Sequence, residues 1–102
     1  MEFLVDSIER DGEAYCVRGA CTHGKIDIGT IFSKAYKKIK RFSNNQVESI
    51  RTENHRVVSL RVEKIIAYRH SLDSLPQGMS GEIYLVGEGG YNLNTEDTLA
   101  SE

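Results

Sequence analysis

Val58-Ser59-Leu60-Arg61-Val62-Glu63 decides the fold class. Apolar and polar residues alternate strictly there, which is the period of a strand with one buried face. The phase then slips, because Lys64 would fall on the apolar side and Ile65-Ile66 follow together. One extra residue near Lys64, held as a β-bulge, restores the phase, and bulges are common where barrel strands bend.

Further along, Leu72-Asp73-Ser74-Leu75-Pro76-Gln77-Gly78 reads as a loop around the chain's only proline, and Gly81 to Val86 as a last strong strand. Towards the start, Phe3 to Arg10 is rich in apolar and β-branched residues, and Asp11-Gly12 is a turn signal. Glu13 to Thr22 sets Tyr15, Val17 and Cys21 on one face, with Gly19 in phase as a bend or a close approach. His23-Gly24 turns the chain, Ile26, Ile28 and Gly29 follow, and Thr30 to Lys38 makes another strand through Ile31, Phe32 and Tyr36. No helical period of any length stands out. Short strands between turn signals predict an all-β fold, a small closed or nearly closed antiparallel barrel of about six strands. Val17, Ile28, Val58, Leu60, Val62, Ile83 and Leu85 are its expected inward residues.

Two segments break the pattern. Between residues 39 and 55, Phe42 to Gln46 reads as a polar loop, Val47 to Arg51 as a short strand or irregular excursion, and Glu53-Asn54-His55 as polar again. The stretch is therefore an elaborated loop within one barrel domain spanning 1–90. Residues 91–102 are acidic and lack an apolar period, so they are expected to form a flexible tail that folding does not need.

The 102 residues suit one domain, and 39% hydrophobic with 27% charged residues is ordinary for a soluble globular chain. Net charge is −2, but Glu88, Glu96, Asp97 and Glu102 all follow Gly87, where no Lys or Arg occurs. The remaining body holds 13 bases and 11 acids, a balance that argues against strong non-specific binding to nucleic acid. No apolar run reaches membrane-span length, and the start lacks a signal-peptide pattern. Cys16 and Cys21 lie five apart in one strand, on opposite faces, so reduced thiols and a cytoplasmic location are expected.

Val17-Arg18-Gly19-Ala20-Cys21-Thr22-His23-Gly24-Lys25-Ile26-Asp27-Ile28-Gly29 resembles the signature of the second domain of elongation factor Tu and its relatives. Leu4-Val5-Asp6-Ser7-Ile8 and Gly12 sit where that family places its first strand and hairpin turn. Val62, Ile65, Leu72, Gly78, Gly81, Ile83, Leu85 and Gly87 are similar to its later strand, connecting loop and closing strand. The resemblance implies a stand-alone barrel of the translation-protein type. No G-x-x-x-x-G-K-[ST] loop occurs, so it does not imply GTP hydrolysis. The stretch from Lys38 to Arg56 looks longer than the family's connection. In translation factors this barrel helps hold the GTPase on the ribosome or grips the end of charged tRNA. None of those contact residues is carried over.

Lys34, Lys37, Lys38, Lys40 and Arg41 place five bases within eight residues, with Tyr36 inside the run and Phe42 directly after it. Such a patch suits a phosphate or RNA contact, with the two rings available to stack on bases, or else a solvated strand end whose lysines guard an edge strand. Cys16, Cys21 and His23 lack a fourth ligand at zinc spacing, with His55 and His70 scattered, so no metal is expected. His70, Ser71 and Asp73 hold the residue types of a hydrolytic triad without a nucleophile elbow. The chain is thus expected to be a non-enzymatic binding module with no catalytic residue and no cofactor. It would engage a protein or ribonucleoprotein partner through Lys34, Tyr36, Lys37, Lys38, Lys40, Arg41 and Phe42. The alternatives are an immunity or inhibitory protein that mimics a translation factor, and a small RNA-binding domain.

Overall fold

The alternating strands wrap into a ring. The computed structural model describes residues 1–44 and 46–101, with side chains other than those of residues 40–43 and 47–49. Its strands are β1 (Glu2–Asp11), β2 (Ala14–His23), β3 (Ile26–Asp27), β4 (Ile31–Ser43), β5 (Gln46–Ala67), β6 (His70–Leu72), β7 (Ser74–Leu75), β8 (Ser80–Glu88) and β9 (Asp97–Ala100). Among the described residues, six of them form a closed antiparallel barrel in the order β4-β9-β1-β2-β8-β5, with β5 returning to pair with β4. The short β6 adds one extra strand along β5, and β3 pairs with β7 as a separate ribbon.

The core follows the predicted alternation. Val17, Leu60, Val62, Ile83 and Leu85 are fully buried, and Val58 nearly so. Phe3, Val5, Phe32, Ile65 and Leu99 complete the filling from the other strands. Ile26 of β3 and Leu75 of β7 are buried where β2 finishes and β8 starts. The bulge expected near Lys64 is present: Val62 faces Leu85 and Lys64 faces Tyr84, leaving Glu63 as the extra residue. That one residue returns Ile65 to the interior.

Gly19 explains itself by contact. A Cβ there would lie 1.8 Å from the Leu4 carbonyl oxygen, so only glycine lets β1 approach β2 at this point. The register of β1 slips at the same place, between Val5 and Ser7.

Three expectations are corrected. Ile28 is 47% exposed rather than inward. The Thr30 amide donates to the Asp27 carbonyl, and that tight turn rotates Ile28 outward after Ile26 has entered the core. The described residues of 39–55 form no loop excursion. They are the outer part of a long β4–β5 hairpin, paired from Ile31–Arg61 out to Ser43–Gln46. The described residues of 91–102 are not a loose tail either, because β9 lies between β1 and β4 and closes the barrel. Leu99 is fully buried there and Asp97 is buried as well, so the acidic composition misled.

A braced strand face as the candidate functional site

Cross-strand register builds the site. Lys34 of β4 lies opposite Ala100 of β9, Ala100 opposite Glu2 of β1, and Glu2 opposite His23 of β2. Residues in one such row share a face of the sheet. Ala100 has almost no side chain, so long residues of β4 reach across β9 to Glu2. The Tyr36 hydroxyl donates to Glu2 Oε1 at 2.5 Å, and Lys38 Nζ donates to Oε2 at 2.9 Å. His23 Nδ1 lies 2.6 Å from Oε2 on the other side. One carboxylate thus ties β1 to both β4 and β2.

A second contact comes from the hairpin. β5 carries one extra residue where Ala35 faces Arg56 and Lys37 faces Glu53, so that Asn54 and His55 stand against Tyr36 alone, and Asn54 takes a positive φ of 57°. This bulge turns the His55 ring over Tyr36, with centroids 5.3 Å apart. His55 Nε2 also meets the Thr52 hydroxyl at 2.7 Å. Met1, Glu2, His23, Lys34, Tyr36 and His55 then line an open groove on this face.

The electrostatics make the cluster a brace. Burial alone would raise the Glu2 carboxyl, but hydrogen bonds from Tyr36 and Lys38 and the Lys38 charge outweigh it and hold it low. Its ionised contacts are therefore complete above the ordinary 4.5 and are lost only as pH falls through the lowered value. Burial, then the Glu2 carboxylate, pushes the Tyr36 phenol up from 10.0 to about 12. A raised value means that the folded chain keeps this proton more tightly than the unfolded one. The contribution of Tyr36 to stability is thus whole below pH 10.0 and disappears as pH rises through about 12. An alkaline titration followed by tyrosinate absorbance should contain a late phase, and Tyr36→Phe should remove that phase. If Tyr36→Phe instead removed amplitude from the ordinary phase near 10.0 and left the late phase, the hydroxyl would not bond Glu2.

The structure brings together only part of the sequence-derived patch. Lys34 is exposed, Lys37 and Lys38 are half-buried, and Tyr36 is 9% exposed. Tyr36 is thus a covered anchor and not a free stacking platform. The side chains of Lys40, Arg41 and Phe42 lie outside the described residues. Glu2, His23 and His55 were absent from the sequence-derived set, because no local signal marks residues that meet only through strand register. His70 and Ser71 are exposed neighbours on β6, where successive side chains point to opposite faces. Cys16 and Cys21 are free thiols, and burial is the main cause that pushes both up, away from the thiolate. No family model matches this sequence, and no curated protein matches it.

Proposed function

We propose that this chain is a binding module without catalysis, built on a barrel like the second domain of the elongation factor Tu family. It engages a protein or ribonucleoprotein partner through the side from which the β4–β5 hairpin projects. The observation that carries the reading is the hairpin itself. The fold measures 43 × 26 × 23 Å, and along the hairpin Ile39 is 37% and Ile50 57% exposed. A two-stranded ribbon with exposed apolar residues is marginal alone and gains from cover by a partner. The resemblance is supported by the places its glycines occupy. Gly12, Gly24, Gly29 and Gly78 take positive φ at the turns between strands, and Gly19 and Gly81 face each other across β2 and β8.

The test starts from affinity capture in the native host and ends with kinetics on the purified partner. Lys34→Glu with Lys37→Glu is the suitable variant, because Lys38 must stay to hold Glu2. Association should slow by roughly tenfold at low salt, with a weaker salt dependence than the parent chain. Unchanged kinetics in a folded variant would overturn this assignment of the binding side.

A further inference from the structure

Strand β9 covers only part of β4. It pairs with Lys34 to Lys37, whereas β4 continues to Ser43. Among the described residues, no strand pairs with β4 beyond Lys37 on that flank, so alternate backbone N–H and C=O groups there face outward. β9 itself cannot run further back. Glu96 takes a positive φ of 70°, its amide donates to the Val5 carbonyl, and the preceding chain turns away.

The vacant line is bounded by more than a bare edge. A groove lined by Leu4, Thr22, His23, Lys38, Ile50 and Thr98 opens beside the β4 edge where β9 ends, with Glu96 at its margin. Leu4 is 37% and Ile50 57% exposed. A strand laid in line with β9 would place every second side chain over these apolar residues. The sequence of the edge is basic, with Lys37, Lys38, Lys40 and Arg41, although Lys38 already answers Glu2.

We infer that the free edge of β4 beyond Lys37 receives an acidic, extended segment of a partner protein as an added β-strand. The main-chain edge supplies affinity, Leu4 and Ile50 take the apolar residues of the segment, and the basic strand selects its acids. A second copy of this chain is disfavoured, because antiparallel self-pairing would oppose the bases at 37–41 to each other. A nucleic acid has no strand backbone to match the edge, and Tyr36 is too covered to stack on a base.

The inference rests on the binding reading, and its test is separate. The probe is a capped synthetic peptide of alternating Glu and Val, read by amide hydrogen exchange of the intact chain. Exchange at the outward amides from Lys38 to Ser43 should slow by roughly tenfold. An alternating Lys-Val peptide, and the Glu-Val peptide N-methylated at alternate residues, should leave them unprotected. Ile50→Asp should weaken the Glu-Val peptide by roughly tenfold while thermal stability is kept. Absence of protection, equal binding of the N-methylated peptide, self-association that protects the same amides, or preference for a single-stranded oligonucleotide would each overturn strand addition. A native partner that binds without protecting these amides would end this inference and leave the binding reading standing. A chain that binds neither peptide nor partner would end both.

Discussion

Deleting residues 94–102 should abolish cooperative folding. β9 is the only strand among the described residues that bridges β1 and β4: Phe3 and Ala35 both face Leu99 across it. Its loss opens the ring and exposes the edges of β1 and β4 together. Leu99 leaves the core entirely, and truncation of a buried leucine alone costs about 2–5 kcal/mol. The Asp97 carboxylate goes as well, and with it the partner of Arg56. A domain of this size has a total stability of about 5–15 kcal/mol, so these losses are comparable with the whole margin. Thermal unfolding followed by circular dichroism should show no sharp transition, or a melting temperature lower by more than ~20 °C. A synthetic peptide covering 94–102, added in trans, should restore part of the transition. A melting temperature that is unchanged by the deletion would mean that β9 does not close the barrel.

This element was the least legible in the sequence, for a physical reason. Asp97-Thr98-Leu99-Ala100 offers one large apolar residue, too few for a period to declare itself. What fixes the segment is Arg56, which lies 41 residues away, and no local pattern announces such a partner. The β4–β5 hairpin was hidden differently. Beyond the barrel it has little core to face, so Ile50 to His55 are all exposed and no inward–outward alternation is imposed. Where burial is one-sided the reading was sound: the run 58–63, the bulge beside Lys64 and the close approach at Gly19 all follow from alternation and glycine placement. Ile28 shows the limit of alternation, because a single tight turn reverses the face. The candidate site divides along the same line. Lys34, Tyr36, Lys37 and Lys38 were visible as a local run of residues. Glu2 and His23 join them only through the register of four strands.

Register also connects stability to the proposed binding side. The hairpin leaves the barrel at the same bulge that presents His55 to Tyr36, and Arg56 follows directly. Arg56 Nε donates to the Asn54 carbonyl at 2.9 Å, Nη1 to the Asn92 carbonyl, and Nη2 to Asp97 Oδ1 at 2.7 Å. One guanidinium thus sets the hairpin base, the exit from β8 and the closing strand relative to each other. A planar five-donor fork can do this, and a lysine cannot.

Asp97→Ala is therefore expected to cost about 3–5 kcal/mol, the scale for breaking a buried pair by removing one partner. The side chain of Asp97 is fully buried and that of Arg56 only 16% exposed, so water cannot readily replace the lost carboxylate. The Asn94 amide, which donates to Asp97 Oδ2 at 2.7 Å, loses its acceptor too. Asp97→Asn can keep an acceptor for that amide but removes the charge, and it should cost less, about 1–3 kcal/mol. Arg56→Met should destabilise on a scale similar to Asp97→Ala. The double variant should be more stable than the sum of the single losses predicts, by roughly 0.5–3 kcal/mol, because neither buried charge is then left alone. Urea unfolding of the four proteins supplies the cycle, and its slopes check that each variant still unfolds in one step. Strictly additive losses would mean that Arg56 and Asp97 act separately, and the clamp that joins the hairpin to the closing strand would have to be abandoned.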